Sequence, residues 1–195
     1  MFLKKILLFI FSLFLIVAIK SSFDFNKISE SVIRLHVVAN SNEPLDQNIK
    51  LKVRDYILSN YNLEHNSIYY ADSYINDNLN NISSNVTKFL NDNGYNYSGK
   101  AEYGFFDFPT KSYKKYKFPK GKYKALKITL GSGTGENWWC VMYPPICVYN
   151  NCYKESNDEN DILKKTLSSN QYQIVSSVNY EFKIIELINT IKEKI

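Results

Sequence analysis

Two histidines and three cysteines are the residues of this chain that could support nucleophilic or metal chemistry. Cys140, Cys147 and Cys152 follow a C-x6-C-x4-C spacing that fits no common metal motif, and CxxC, HExxH and HxH spacings do not occur. Cys140 as a nucleophile with His36 as its base is a catalytic hypothesis, but nothing in the spacing brings the two together. We therefore predict a protein that is not an enzyme, with no catalytic residue, no metal and no cofactor.

A glycine cluster at Gly131, Gly133 and Gly135 superficially suggests a phosphate-binding loop. Such a loop needs a following helix whose N-terminus points at the anion, and no Lys-Ser/Thr pair follows here. Because the next segment has the pattern of a strand, we interpret the cluster as a flexible connection between two strands.

Lysines alternate with aromatic residues between residues 111 and 127. Three interpretations stay open: a solvated edge strand kept soluble by lysine, contact with an anionic membrane surface or wall polymer, and binding of single-stranded nucleic acid. The last is the least favoured, because the next feature places the chain outside the cytoplasm. We predict no nucleic-acid partner.

The first residues have the pattern of an export signal. Lys4 and Lys5 precede an apolar run from Ile6 to Ile19, broken only by Ser12. As a helix this run is about 21 Å long, short of the roughly 30 Å hydrocarbon core of a bilayer. We predict a signal peptide or an uncleaved membrane anchor over residues 1–22, and an exported domain over residues 28–195.

Export bears on the cysteines, since disulfides persist in oxidising compartments. A bond between Cys140 and Cys147 would close a loop that contains Pro144 and Pro145. The alternative is that these cysteines are small buried hydrophobic residues, and Cys152 has no predicted role.

Hydrophobic periodicity predicts the elements that carry these residues. Val32–Ala39 alternates as a half-buried strand, with Arg34 and His36 on one face, and Pro44 begins an amphipathic helix to about Asn60. The pattern also predicts a second helix capped by Ser73 and closed at Gly94, then further strands and a helical tail. In order, these later elements are helix Ser73–Asn93, strands Tyr95–Phe108, Lys122–Leu130 and Trp138–Tyr143, helix Asp158–Leu167, strand Tyr172–Val178 and helix Tyr180–Ile195.

Helices and strands are mixed without the strict alternation of a parallel α/β fold. The chain is 15% aromatic, which is rich enough to build a core. We predict an α+β fold: one domain whose mixed or antiparallel sheet packs against several helices.

Two blocks of sequence together resemble the stage II sporulation protein R family. The first runs from Val32 to Ser41 (VIRLHVVANS) and is followed by LKVRD at 51–55; the second is GENWWC at 135–140, followed by PPIC at 144–147. Asn42, Ile146 and Cys152 depart from the pattern expected of the family, and Cys152 leaves the disulfide pairing open.

The resemblance implies a signalling protein of endospore formation, without catalytic residues. Members are made in the forespore and exported toward the space between the forespore and mother-cell membranes. There they trigger a membrane-embedded aspartic protease that cleaves the precursor of the mother cell's early sigma factor. This chain would lie in that space or be anchored to the outer face of the cytoplasmic membrane.

Unusual chemistry in the two blocks marks the candidate partner-binding residues. Adjacent residues of a strand point to opposite faces, so a strand at Trp138 and Trp139 buries one ring and exposes the other unless both faces are covered. Exposed tryptophan is enriched in binding hot spots. The candidates are Trp138, Trp139, Arg34, His36 and Asn40.

Two other classes of function remain as alternatives. One is an extracytoplasmic cysteine-dependent hydrolase that uses Cys140 and His36. The other is a basic surface or cell-wall adhesion protein that uses the lysines of residues 111–127.

Overall fold

A computed structural model describes residues 2–61, 63, 67–113, 116–147, 161–176 and 190–191. Its helices are α1 (Phe2–Ser31), α2 (Pro44–Asn60), α3 (Ile68–Asp77), α4 (Leu79–Asp92), α5 (Ile162–Thr166) and α6 (Ser169–Ser176). Its strands are β1 (Ile33–Val38), β2 (Gly99–Phe108), β3 (Lys111–Tyr113), β4 (Tyr116–Phe118), β5 (Gly121–Leu130) and β6 (Asn137–Tyr143).

The main sheet has four strands in the order β2-β5-β1-β6. β1 is parallel to β5 and antiparallel to β6, whereas β2 is antiparallel to β5, so the sheet is mixed. Strands β3 and β4 form a separate small antiparallel sheet. The predicted α+β fold is confirmed.

Strand β1 is buried on both faces, so the prediction of a half-buried strand was wrong. One face carries Ile33, Leu35 and Val37, the apolar side expected from the alternation. The other face carries Arg34 and His36, and both are buried although they are polar. Aromatic side chains from β2, β3, β4 and β5 cover this second face.

The helix predicted over Ser73–Asn93 is two helices that meet at Asn78. Ser67, not Ser73, caps the first of them, because its hydroxyl accepts a hydrogen bond from the backbone N–H of Tyr70. Gly94 follows the second helix with a φ of +84°, the left-handed conformation that glycine adopts most readily.

In the tail, the strand predicted over Tyr172–Val178 was wrong, because Tyr172 lies within helix α6. Ser168 and Gln171 form a capping box: the Ser168 Oγ accepts from the Gln171 N–H, and the Gln171 Oε1 accepts from the Ser168 N–H. The Asp161 carboxylate caps α5, the predicted short helix. Most of the predicted final helix, Tyr180–Ile195, lies outside the described residues.

Helix α1 links the predicted signal segment to the domain. At its C-terminal end Ile28 is fully buried, and the Ser31 hydroxyl accepts a hydrogen bond from Gln171. Large apolar side chains between Ile6 and Ile19 are exposed to solvent instead. Among the described residues, no helix combines the length and the apolar character needed to cross a membrane.

The glycine-rich loop connects strands β5 and β6, as predicted, and hydrogen bonds hold it against Asn40. Gly131 and Gly133 adopt positive φ angles, and the loop wraps around Asn40. At Gly135 the backbone passes so close to residues 39–41 that a Cβ atom would overlap the Ser41 carbonyl oxygen.

Replacing Gly135 with alanine is expected to lower the free energy of unfolding by about 1–3 kcal/mol, the usual cost of overpacking. Gly104 is the matched control, because a Cβ atom there meets nothing within 4 Å. Gly104→Ala should therefore leave stability unchanged or slightly raised. Urea unfolding of both variants tests this, and equal midpoints would show that the loop can relax around the added methyl group.

Candidate functional site: a groove beside strand β6

A groove of about 830 Å³ runs along the outer edge of β6. Helix α2 forms one wall through Lys50 and Leu51, and strand β3 forms the other through Lys111 and Tyr113. Trp138 and Trp139 lie between the walls, on the strand itself. The groove thus joins three segments that are far apart in the sequence.

Trp138 packs toward helix α2. Its ring is half-buried and lies under the guanidinium of Arg54, with the Cζ atom 4.4 Å from the ring centroid. Arg54 also forms an ion pair with Asp55 at 2.6 Å. The indole Nε1 of Trp138 is buried and has no hydrogen-bond partner among the described residues. The half-exposed remainder of the ring lines the groove.

Trp139 packs on the opposite side of the strand. Its ring stacks on His36 at a centroid distance of 3.8 Å and meets the edge of Phe108 at 4.8 Å. It is half-buried as well. Both tryptophans thus combine a role in packing with partial exposure in the groove.

His36 is a neutral, buried side chain. Burial lowers the pKa of its imidazole to about 4, although a hydrogen bond from Nε2 to the Asn137 Oδ1, 2.7 Å away, acts in the opposite direction. Nδ1 has no partner among the described residues. His36 therefore supports the orientation of Trp139 and Asn137 from beneath.

This lowered pKa predicts a loss of stability in mild acid. The folded state keeps His36 neutral to about pH 4, whereas the unfolded chain binds the proton near pH 6.5. The free energy of unfolding should fall as the pH decreases from about 6.5 to about 4, with no contribution from this group above that window. Urea midpoints of the wild type and His36→Gln across pH 4–8 measure it: the difference between them should change only within the window.

Arg34 is completely buried in an aromatic cage. Its guanidinium carbon lies 4.2 Å from the ring centroid of Phe108 and 4.8 Å from that of Tyr123, with Tyr113 and Phe118 farther away. Nη2 donates to the Tyr113 hydroxyl at 2.7 Å and Nε donates to the Cys140 carbonyl at 3.3 Å. This predicted contact residue offers no surface to a partner; it joins β1 to the strands that form the groove.

Asn40 is likewise occupied within the protein. Its side chain donates to Asp46 and accepts from the backbone N–H of Ser132, while its carbonyl accepts from the Thr134 hydroxyl. Its side chain is therefore engaged in holding the glycine-rich loop, and a role in partner binding stays a prediction.

Lys50 is a site residue that the sequence reasoning missed. It is buried, and its Nζ donates to the Gln47 side chain and, at 3.1 Å, to the Glu136 carbonyl. Burial lowers the pKa of its ammonium group, with the charge of Glu136 acting against this. A lysine next to Ile49 on the predicted apolar stripe of the helix was the only signal in the sequence.

The structure joins Cys140 and Cys147 in a disulfide, with Cα atoms 6.2 Å apart. Both residues are buried. A bonded Cys140 has no free thiol for the hydrolase alternative, and His36 stacks on Trp139 instead. Cys152 lies outside the described residues.

Two lysines of the basic stretch have partners within the domain, one on helix α3 and one on strand β2. Lys124 pairs with Asp72, and the ammonium group of Lys127 lies over the ring of Phe106 at 5.4 Å. Contact with an anionic membrane surface stays a prediction.

Among the described residues, no group of three or more His, Cys, Asp or Glu side chains could hold a metal ion.

The fold is an α+β domain with a groove at the edge of its mixed sheet. The sequence model for stage II sporulation protein R matches residues 29–153, well over half of the chain. The chain belongs to the stage II sporulation protein R family.

A curated relative is stage II sporulation protein R of Bacillus subtilis (strain 168), 34% identical over 146 residues. The match covers 71% of this chain but only 65% of the relative, so the chain spans just under two thirds of the relative's length. No solved structure matches the chain.

Proposed function

We propose that this chain is an exported signalling protein of endospore formation. It would act between the forespore and mother-cell membranes, or from an anchor on the outer membrane face, by activating a membrane-embedded aspartic protease. That protease would cleave the precursor of the mother cell's early sigma factor. Family membership supports the sporulation role, and the open groove with its two half-buried tryptophans carries the proposal of partner binding.

Two features support export. The apolar side chains between Ile6 and Ile19 are exposed along α1, directly after Lys4 and Lys5, as in a segment that enters a membrane during secretion. The bond between Cys140 and Cys147 suits an oxidising compartment outside the cytoplasm.

Activation by binding needs only a difference in affinity. If the chain binds the active state of the protease more tightly than the inactive state, the equilibrium shifts toward activity by that ratio. A tenfold shift corresponds to about 1.4 kcal/mol, which one well-packed tryptophan can supply.

The direct test is deletion of the chain in its host, followed by immunoblotting for the sigma-factor precursor. We expect the precursor to persist uncleaved, and a plasmid copy to restore cleavage. A second plasmid copy without residues 2–19 should fail, because the protein would remain in the compartment where it is made. Normal cleavage in the deletion strain would refute the proposal.

A further inference from the structure

The groove has a strand edge as its floor. Strand β6 is the last strand of the main sheet and pairs only with β1 among the described strands. The Glu136 carbonyl accepts from the Ala39 N–H, which fixes the register at the start of the strand. Because backbone groups alternate in direction along an antiparallel strand, those of Asn137 and Trp139 point away from β1.

One further contact agrees with this direction. The carbonyl of Trp139 accepts a hydrogen bond from the Tyr113 hydroxyl at 3.1 Å, and Tyr113 belongs to the groove wall rather than to β1. The N–H groups of Asn137 and Trp139 thus face the groove. The Trp139 carbonyl is held by Tyr113 and the Val141 carbonyl by the Cys147 N–H, so the part of the edge open to an incoming strand is the Asn137 backbone and the Trp139 N–H.

The groove also has the shape that an added strand requires. An extended peptide lies about 4.8 Å from the strand with which it pairs, and its side chains alternate between the two faces. Here one face of the edge is bounded by α2, near Trp138, and the other by β3, near Trp139. Alternate side chains of a bound peptide would therefore contact the two tryptophans in turn.

The charged residues that line the groove favour a peptide with acidic side chains. Lys50 lies on one wall and Lys111 on the other, while Glu136 is the acidic residue of the lining. Lys50 is buried, and the two acceptors of its ammonium group are an amide oxygen and a backbone carbonyl. Glu136 acts on it through its charge, but no carboxylate of the described residues is hydrogen-bonded to it. An ammonium group has three N–H donors. A carboxylate brought by a ligand would complete this site.

We infer that the open part of the β6 edge, at the Asn137 backbone and the Trp139 N–H, accepts an extended, acidic peptide segment of the partner protein as an additional strand, with a carboxylate near Lys50 and Lys111. This inference rests on the proposed function for the identity of the partner, and it adds the mode of recognition. The main-chain hydrogen bonds give affinity, and the lysines and tryptophans give specificity.

A single proline substitution tests the proposed hydrogen bond from the backbone of β6 to the peptide. Asn137→Pro removes the N–H that faces the groove, at the first residue of an edge strand, where proline is tolerated. Asn137→Ala is the matched control, because it loses the same side chain and its bond to His36 but keeps the N–H. Binding of full-length protein to overlapping synthetic peptides from the protease's extracytoplasmic segments should be roughly 3- to 10-fold weaker for Asn137→Pro than for Asn137→Ala.

A charge reversal tests the acidic partner. Lys111→Glu should abolish most of the binding, and peptides with Asp and Glu changed to Asn and Gln should bind weakly to the wild type. Lys100→Glu is the control, since Lys100 is exposed on β2 at the opposite edge of the sheet. It should leave binding unchanged.

Cleavage of the sigma-factor precursor in cells separates the two proposals. If deletion blocks cleavage while Asn137→Pro and Lys111→Glu behave like their controls, the strand-addition mode is wrong and the signalling role stands. If deletion has no effect but acidic peptides still bind in the predicted pattern, the groove is confirmed and the signalling role is wrong. Exchange-protected Asn137 and Trp139 amides in the free protein, or a dimer formed through this edge, would overturn the inference.

Discussion

Replacement of Arg34 by alanine is expected to lower the free energy of unfolding by about 3–5 kcal/mol, the range for large buried side chains. The guanidinium fills the space between four aromatic rings, so its removal leaves a cavity. It also removes the hydrogen bonds to Tyr113 and to the Cys140 carbonyl. Urea unfolding followed by tryptophan fluorescence measures the loss, since both tryptophans lie on the neighbouring strand.

Two variants define what Arg34 contributes. Arg34→Met fills much of the same volume without charge, and replacing a buried charge with an apolar side chain often costs little; it should recover a large part of the stability. The cationic side chain of Arg54 lies over Trp138 and is only 14% exposed, so Arg54→Ala should cost about 1–2 kcal/mol. If Arg34→Ala were no more destabilising than Arg54→Ala, the cage would not be a principal support of the sheet.

Local periodicity correctly predicted those elements in which the regularly spaced apolar residues are also the residues that pack against the core. Strand β5 has alternating apolar residues and was predicted to within one residue, and Pro44 begins α2 as expected. Strand β6, which carries both tryptophans, also lies where its β-forming residues predicted it. In these elements the residues that face the core follow one period, so sequence spacing and burial carry the same information.

The errors have tertiary causes. Alternation identified Arg34 and His36 as one face of β1, and an exposed polar face was the natural interpretation. The burial of Arg34 depends on Phe108, Tyr113, Phe118 and Tyr123, and that of His36 on Phe108 and Trp139. All of these rings are at least 70 positions away in the chain and cover the two side chains only after folding. No local pattern encodes that enclosure, because a cation–π contact needs no complementary charge in the sequence.

The tail shows the opposite case, in which a local signal outweighed the strand pattern. Tyr172 to Val175 has strand-like composition, but Ser168 and Gln171 have the spacing of a capping box. Reciprocal side-chain hydrogen bonds at a helix start satisfy two backbone groups at once, so the helix forms. The groove itself could not be predicted, since α2, β3 and β6 are distant in the sequence and come together only in the folded domain.

Replacement of Trp138 by alanine is expected to weaken binding to the proposed protease partner at least about 30-fold, which corresponds to about 2 kcal/mol for a binding hot spot. Trp138 is half-buried between Arg54 and the groove, so a ligand that covers it would complete its burial. Cleavage of the sigma-factor precursor should then be lost in cells that express the variant. Trp139→Ala is a less selective change, because that ring also supports His36 and Phe108 and its loss disturbs the fold.

A loss of cleavage by the Trp138 variant is informative only if the protein remains folded and exported. Tyr69→Ala provides the matched control, since Tyr69 is an exposed aromatic residue on α3, 82% accessible and absent from the groove lining. Equal amounts of both variants outside the producing cell, equal urea midpoints and loss of cleavage in the Trp138 variant alone would assign the effect to the groove. Cleavage that persists in the folded Trp138 variant would exclude this ring from the partner contact and leave it only its packing role beneath Arg54.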